Sequence, residues 1–394
     1  MITNGFTYIA FLMCLAGSLL ALEKYTKWKV FNVVPPLVWI YVLNMVFCTI
    51  GLYDSEGCSA AYSVLKNNLL YAMIFVMLLR CDIRKLAKLG GRMVAIFMGG
   101  AVSILLGFLV AFIIFKDPLG GGETVWGAMA ALCASWIGGS ANMAAMEAAF
   151  PIDPGAYGCA LAVDTVYYSV WIALLLLMVR YAGKWDKAMK ADTSKLQAIA
   201  DTANEEVAKG KKRATAGDWI FLIGISLMIS AVSQQVGLTL NEKLVAADIT
   251  MFDKGTLTTV FVTVLGLICA LTPLGKLPAV EELSNVYLYA VVSLLASTAT
   301  LVDLVSAPLW IVAGVIVLII HIVVMVMLSK IFHWDCCMVS TASLANIGGS
   351  ASAPIVASAY NPSYAGIGVL MGVLGAAIGN FCGIICGYIM QMMI

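Results

Sequence analysis

Long apolar runs alternate with short polar clusters along this chain of 394 residues. Ten of the runs approach or exceed the length of a membrane-crossing helix, about 17–25 residues for a hydrocarbon core of about 30 Å. They cover 6–22, 34–53, 64–79, 93–115, 157–180, 217–236, 256–271, 285–302, 308–330 and 364–393. Two further apolar segments, 125–150 and 337–360, are interrupted, and the interruption is the same in both. Ile137-Gly138-Gly139-Ser140-Ala141-Asn142 returns 210 positions later as Ile347-Gly348-Gly349-Ser350-Ala351-Ser352. A duplicated break, one in each half of a polytopic chain, marks the binding region of a secondary transporter.

Each arm of a broken segment is too short to cross alone, but the two together are long enough. Charge separates the alternatives, because cytoplasmic loops collect Lys and Arg. If both segments dip in and return, with the N-terminus outside, 19 of the 23 cations lie inside and only Lys66, Lys116, Lys243 and Lys254 lie outside. If both cross fully, the better orientation gives 13 against 10. The pattern therefore predicts an all-α polytopic membrane protein of two inverted repeats, each with five transmembrane helices and one broken re-entrant helical hairpin. Residues 1–181 form the first repeat, with hairpin 125–150. Residues 182–216 form a cytoplasmic linker, and 217–394 form the second, inverted repeat, with hairpin 337–360. Both termini are expected outside. The two glycine tips then enter from opposite faces and can meet near the midplane.

Composition agrees with this picture. Hydrophobic residues are 62% of the chain, charged residues 11%, and mean hydropathy is +0.97, against about a quarter charged in a soluble chain. No basic patch interleaved with aromatics suggests nucleic acid. The eleven cysteines lie mostly within apolar runs and read as small core residues. Met1 to Gly5 holds no Lys or Arg, so the first run reads as a retained span and not as a secretory signal. The linker is expected to be solvated, with a short helix carrying Leu196, Ile199, Ala203 and Val207 on one face, capped by Asp192.

The breaks carry the candidate chemistry. Backbone polar groups are tolerated in the bilayer only when they are buried in protein or line a wet cavity. Glycine at 138, 139, 348 and 349 lets the chain turn and lets a ligand come close. Ser140 or Asn142, and Ser350 or Ser352, are placed to cap the following half-helices, with Pro354 suited to a first turn. Freed N–H groups favour an anion and freed carbonyls a small cation. Gly138, Gly139, Ser140, Asn142, Asn346, Gly348, Gly349, Ser350 and Ser352 are therefore the candidate solute-binding residues.

Asp164 lies roughly 13 Å into its span at about 1.5 Å per residue, where an ionisable group costs about 3 kcal/mol or more and marks function by default. It is the leading candidate to bind a coupling Na⁺ or H⁺, with Ser140, Asn142 and Asn380 as further ligands. Its equivalent in the second half is Leu374, so such a site is asymmetric. Glu147 reads as solvated at the end of its arm, and His321 as a core histidine with satisfied partners. Ser293, Ser297, Thr298 and Thr300 line one span. The glycines at 368, 372, 375, 379, 383 and 387 predict close packing of the last span, with its own hairpin the expected neighbour.

At the two breaks, and along Ala134–Tyr168 and Thr341–Gly379, the chain resembles the YjcL-like family of uncharacterised membrane proteins over nearly its whole length. That family resembles a distant member of the superfamily holding the bile-acid/sodium symporters and cation/proton antiporters, along with the sodium–glutamate and citrate symporters. Their GGxG-type hairpin tips are similar to Gly138–Ala141 and Gly348–Ala351, except that alanine stands where the last glycine would be. The resemblance implies an elevator mechanism, in which a core domain holding both hairpins slides on a scaffold that includes spans 1, 2, 6 and 7, usually in a dimer.

These readings lead to an ion-coupled secondary transporter of a small organic, anionic or zwitterionic solute. It would work as a homodimer in the bacterial inner membrane, with no cofactor beyond the coupling ion. A Na⁺(K⁺)/H⁺ antiporter without organic substrate is the alternative. An intramembrane hydrolase built on Ser140 is remote, because His321 is the only deep base. The chain is not expected to be an enzyme.

Overall fold

A computed structural model describes residues 1–54, 57–82, 84, 90–194, 196–208, 214–247, 252–301 and 307–394. The side chains of 32, 33, 204–208, 307, 350 and 351 are not described. Ser350 and Val207 therefore lie outside the described side chains. The described chain is almost wholly helical, with one isolated bridge pairing Ile2 and Tyr53.

The helices are α1 (Gly5–Thr26), α2 (Lys29–Val33), α3 (Pro36–Thr49), α4 (Ser59–Leu78), α5 (Gly91–Phe115), α6 (Gly122–Gly138), α7 (Ser140–Ala149) and α8 (Pro154–Met178) in the first half. Helices α9 (Ala182–Met189) and α10 (Leu196–Ala208) lie in the linker. The second half holds α11 (Ala216–Ala246), α12 (Lys254–Ala270), α13 (Val280–Ala296), α14 (Ala307–Phe332), α15 (Cys336–Ile347), α16 (Gly349–Tyr360) and α17 (Ala365–Gln391). Seven described stretches are long and apolar enough to cross a membrane, and the chain is a multi-pass membrane protein.

Local chemistry sets several boundaries. Asp153 accepts from Ala156 N and precedes Pro154, which starts α8 with the φ a first helical residue needs. Asp253 and Asp335 cap α12 and α15 in the same way. Thr215 and Asp218 form a reciprocal capping box at α11.

The helices sort into two bundles. Helices α1, α3, α4, α11, α12 and α13 pack on one another, and α5 to α8 pack with α14 to α17. Each half thus gives its first helices to one bundle and its last ones, with the broken pair, to the other. Spans 3 and 8 of the sequence count (α4 and α13) join spans 1, 2, 6 and 7. The second arm of the first hairpin, α7, carries much of the contact between bundles.

The linker is not merely solvated. Leu196, Ala200 and Ala203 are buried as α10 packs on α17 and on the turn at 362–364. Asp192 accepts from Ser194 N at 3.0 Å in a turn ahead of α10. In α9, Asp186 accepts from Cys336 N at 2.8 Å and Trp185 Nε1 donates to Trp334 O at 3.2 Å. The linker is held because the first turn of α15 and the loop before it have backbone groups to satisfy.

Candidate functional site

The two breaks are built alike. Helix α6 ends at Gly138, and Gly139 takes φ +102°, a conformation that side-chain-bearing residues rarely adopt. Helix α15 ends at Ile347, and Gly349, the counterpart of Gly139, takes φ +70°. The first glycine of each pair is required for space. A Cβ on Gly138 would lie 2.7 Å from Gly375 O, and one on Gly348 would lie 2.9 Å from the Tyr168 ring. The tips meet: a Cβ on Gly349 would be 3.9 Å from Gly139 Cα and 4.0 Å from Gly138 O.

Neither half-helix after a break has a side-chain cap. Each break is so short that its second arm starts one residue on, at Ser140 and Gly349, so Ser140 is already helical. Ser352 instead lies 3.4 Å from Gly349 O, to which its hydroxyl donates. Asn142 N already donates to Gly139 O at 2.9 Å, and helix geometry gives the earlier first-turn N–H groups of both arms no partner within their own helix. Pro354 lies inside α16 rather than in its first turn. It has no N–H to give the carbonyl four residues back, so the Ser350 carbonyl loses its helical partner.

Asn142, fully buried, turns to the last helix. Its Nδ2 donates to Asn380 Oδ1 at 2.8 Å and to Ala376 O at 3.1 Å, while its Oδ1 has no partner. Asn380 passes the chain on, donating to Thr263 Oγ1 at 3.1 Å, so both ends of its amide are engaged. Asn346, also fully buried, donates to Ala342 O at 2.9 Å and leaves Oδ1 without a partner.

Asp164 on α8 is 9% exposed. Ser135 Oγ, in the last turn of α6, donates to its Oδ2 at 3.0 Å. The Trp136 indole lies beside the same carboxylate without reaching hydrogen-bonding geometry, and Asp164 Oδ1 is buried with no partner. One turn on from Asp164, Tyr168 packs on Gly348. Helix α8 thus touches both breaks. Side-chain acceptors without partners remain on Asn142 just after the first break, on Asn346 just before the second, and on Asp164 of α8, and oxygen acceptors of this kind suit a hard cation.

His321 is satisfied on both sides. Its Nδ1 lies 2.6 Å from Ser103 Oγ and its Nε2 lies 2.7 Å from Ser343 Oγ. Trp171 Nε1 donates to Ser343 Oγ at 2.9 Å, and Ser103 Oγ donates to Gly100 O at 2.6 Å. Ser343 then has its one proton for Nε2, and Ser103 accepts from Nδ1–H, which defines a single neutral tautomer. Ser140 is not among the partners of His321. Ser293 and Thr298 bond to carbonyls of α13 itself, and Ser297 bonds to Tyr8 of α1 within the same bundle, away from the breaks.

Two expectations need correction. Glu147 is buried, because Lys66 Nζ lies 2.9 Å from its Oε2 and neutralises it. The glycines of α17 face the first hairpin more than the second. Gly375 and Gly379 lie against Ile137 O and Asn142, Gly383 against Ala134 and Met146, and Gly387 against Phe150, while Gly368 meets Ala353 and Pro354. Spacing shows that a helix approaches closely but does not show which one.

A curated relative, "Uncharacterized membrane protein YjcL" of Bacillus subtilis (strain 168), is 25% identical to this chain over 235 residues. The match covers 57% of this chain and 56% of that protein, so the aligned stretch spans little more than half the relative's length. The family described as "Protein of unknown function (DUF819)" matches residues 10–393, and this chain belongs to it.

Proposed function

We propose that this chain is an ion-coupled secondary transporter of a small organic solute, anionic or zwitterionic. The observation that carries the reading is the meeting of two glycine breaks inside one bundle that also holds buried, unpartnered oxygen acceptors on Asn142, Asp164 and Asn346. In this reading Asp164 Oδ1 and Asn142 Oδ1 take the Na⁺ or H⁺, and Asn380 holds Asn142 in place. The uncapped N–H groups of α7 and α16 take the solute's negative end. The halves are inverted repeats, with both termini outside the bacterial inner membrane. The bundle holding both hairpins rides on the other as an elevator, in a homodimer, and the chain is not an enzyme. The engagement of both His321 nitrogens with Ser103 and Ser343 supports leaving the hydrolase reading aside.

A Na⁺(K⁺)/H⁺ antiporter is the second reading. It is favoured because the unpartnered side-chain groups at the breaks are mostly acceptors, which suit a cation alone.

The test is the melting temperature of the purified protein in NaCl against choline chloride at equal ionic strength. A ligand bound only by the folded state stabilises it by about 2.7 kcal/mol at a hundredfold excess over Kd. A Na⁺-specific rise that is lost in Asp164→Asn is expected for sodium coupling, and a response to pH alone for proton coupling. Uptake into proteoliposomes across a solute panel separates symporter from antiporter. Indifference to Na⁺, to pH and to every solute overturns the reading.

A further inference from the structure

The seam between the two bundles is polar chiefly at one end, where the second arm of the first hairpin finishes. The last carbonyls of a helix have no partner within it, and here the opposite bundle supplies them. Tyr71 OH of α4 donates to Ala148 O at 3.4 Å, and Thr256 Oγ1 of α12 donates to Ala149 O at 3.0 Å. Tyr388 OH, from α17, donates in turn to Thr256 Oγ1 at 2.8 Å. Beside them Lys66 Nζ meets Glu147 Oε2 at 2.9 Å, with the Glu147 side chain only 4% exposed. Gly255 sits against Ala148 O so closely that a Cβ would overlap it. Halfway along the seam Asn380 reaches Thr263. At the far end the Cys81 thiol lies 3.6 Å from Val373 O.

This asymmetry has a physical meaning. When an apolar seam parts, buried area is lost with nothing in return. When a carboxylate, an ammonium group, hydroxyls and helix-end carbonyls part, water satisfies each of them, so the net difference is small. A polar end is therefore where a seam can open and close reversibly.

We infer that the end of the seam at Glu147–Ala149 is a latch. Lys66, Tyr71 and Thr256 hold the hairpin bundle shut against the other bundle, and they let go before the bundles shift. The inference rests on the transport reading only in supposing that the bundles move. The charge count puts this end outside, so the closed latch bars entry from that face.

The test is hydrogen exchange followed by mass spectrometry on the purified full-length protein in nanodiscs, with no solute added. Glu147→Gln and Thr256→Val are each expected to raise amide exchange about tenfold along the whole seam, including residues 259–266 and 373–381. Amides at 100–108, inside the hairpin bundle, should not change. The exchanged pair Lys66→Glu with Glu147→Lys should return the seam to the rate of the unaltered protein. A rise confined to 145–150 and 254–258, or no rise, overturns the latch. Thr256→Val, which leaves both charges in place, decides the matter if the charge variants do not fold. Because no solute is added in this measurement, seam opening together with indifference to Na⁺, to pH and to every solute would retain the latch and remove the transport reading.

Discussion

Replacing Gly379 by alanine tests the packing of the last helix on the first break. A Cβ at that position would lie 2.7 Å from Asn142 Nδ2, 2.8 Å from its Cγ and 3.0 Å from Gly138 Cα. Asn142 would have to withdraw by a few tenths of an ångström, and the backbone at Gly138, where α6 ends, cannot yield in its place. Overpacking of this kind costs about 1–3 kcal/mol. If Asn142 turns away from Asn380, a buried amide loses its partner, for about 1–3 kcal/mol more. Against this stands the helical gain of alanine over glycine, about 1 kcal/mol. With both costs counted, the expected result is a net loss of about 1–5 kcal/mol, read as a lower apparent melting temperature in detergent. Gly224→Ala on α11 is the matched control, because a Cβ there meets nothing within 4 Å. It should melt at or above the unaltered protein. If Gly379→Ala does the same, the packing argument is wrong.

Three further outcomes are expected. His321→Ala leaves the Ser343 hydroxyl proton without its acceptor and takes away the donor to Ser103 Oγ, and should cost about 2–4 kcal/mol, more than His321→Gln, as ranked by thermal unfolding. Burial raises the Asp335 carboxyl above its ordinary value, outweighing the Met338 N–H and Arg92 that pull it down. Its contribution to stability is therefore whole below about pH 4 and lost as pH rises through the raised value. Asp335→Asn keeps the cap acceptor and should narrow the difference in melting temperature between pH 4 and pH 7; a wider difference would count against burial as the cause. Leu196→Asp and Ala200→Asp should undock α10, so that trypsin cuts the linker faster in intact protein; an unchanged cutting rate would mean that α10 is not held by those residues.

The two breaks were legible because one Ile-Gly-Gly-Ser-Ala motif interrupts an apolar run in each half, and both second glycines do take positive φ. Seven of the ten expected spans are long apolar helices in the structure, while 34–53, 256–271 and 285–302 hold the shorter α3, α12 and α13; the burial of Asp164 was legible from its place within an apolar run. What the sequence hid lies at long range or depends on a single residue of register. No local signal tells that Asn142 meets Asn380, 238 residues on, or that α17 lies along the first hairpin. The capping expectation failed because it assumed a longer break. Glu147 looked solvated because its partner, Lys66, lies 81 positions upstream. The Trp171–Ser343–His321–Ser103 chain joins four helices through residues that are unremarkable one at a time.

The packing of α17 on the first hairpin also orders events during synthesis. The groove of α6 and α7 that receives Gly375, Gly379, Gly383 and Gly387 leaves the ribosome long before the helix that fills it. With roughly 240 residues between them, and about 5–20 residues added per second, the wait is roughly ten to fifty seconds. Through that interval the nascent first half carries an open, small-residue trough with the Asn142 amide and the Asp164 carboxylate inside the membrane. An insertase or the lipid itself must cover it. A chain cut within the linker should then yield a first half that is degraded when made alone and retained when the second half is made with it.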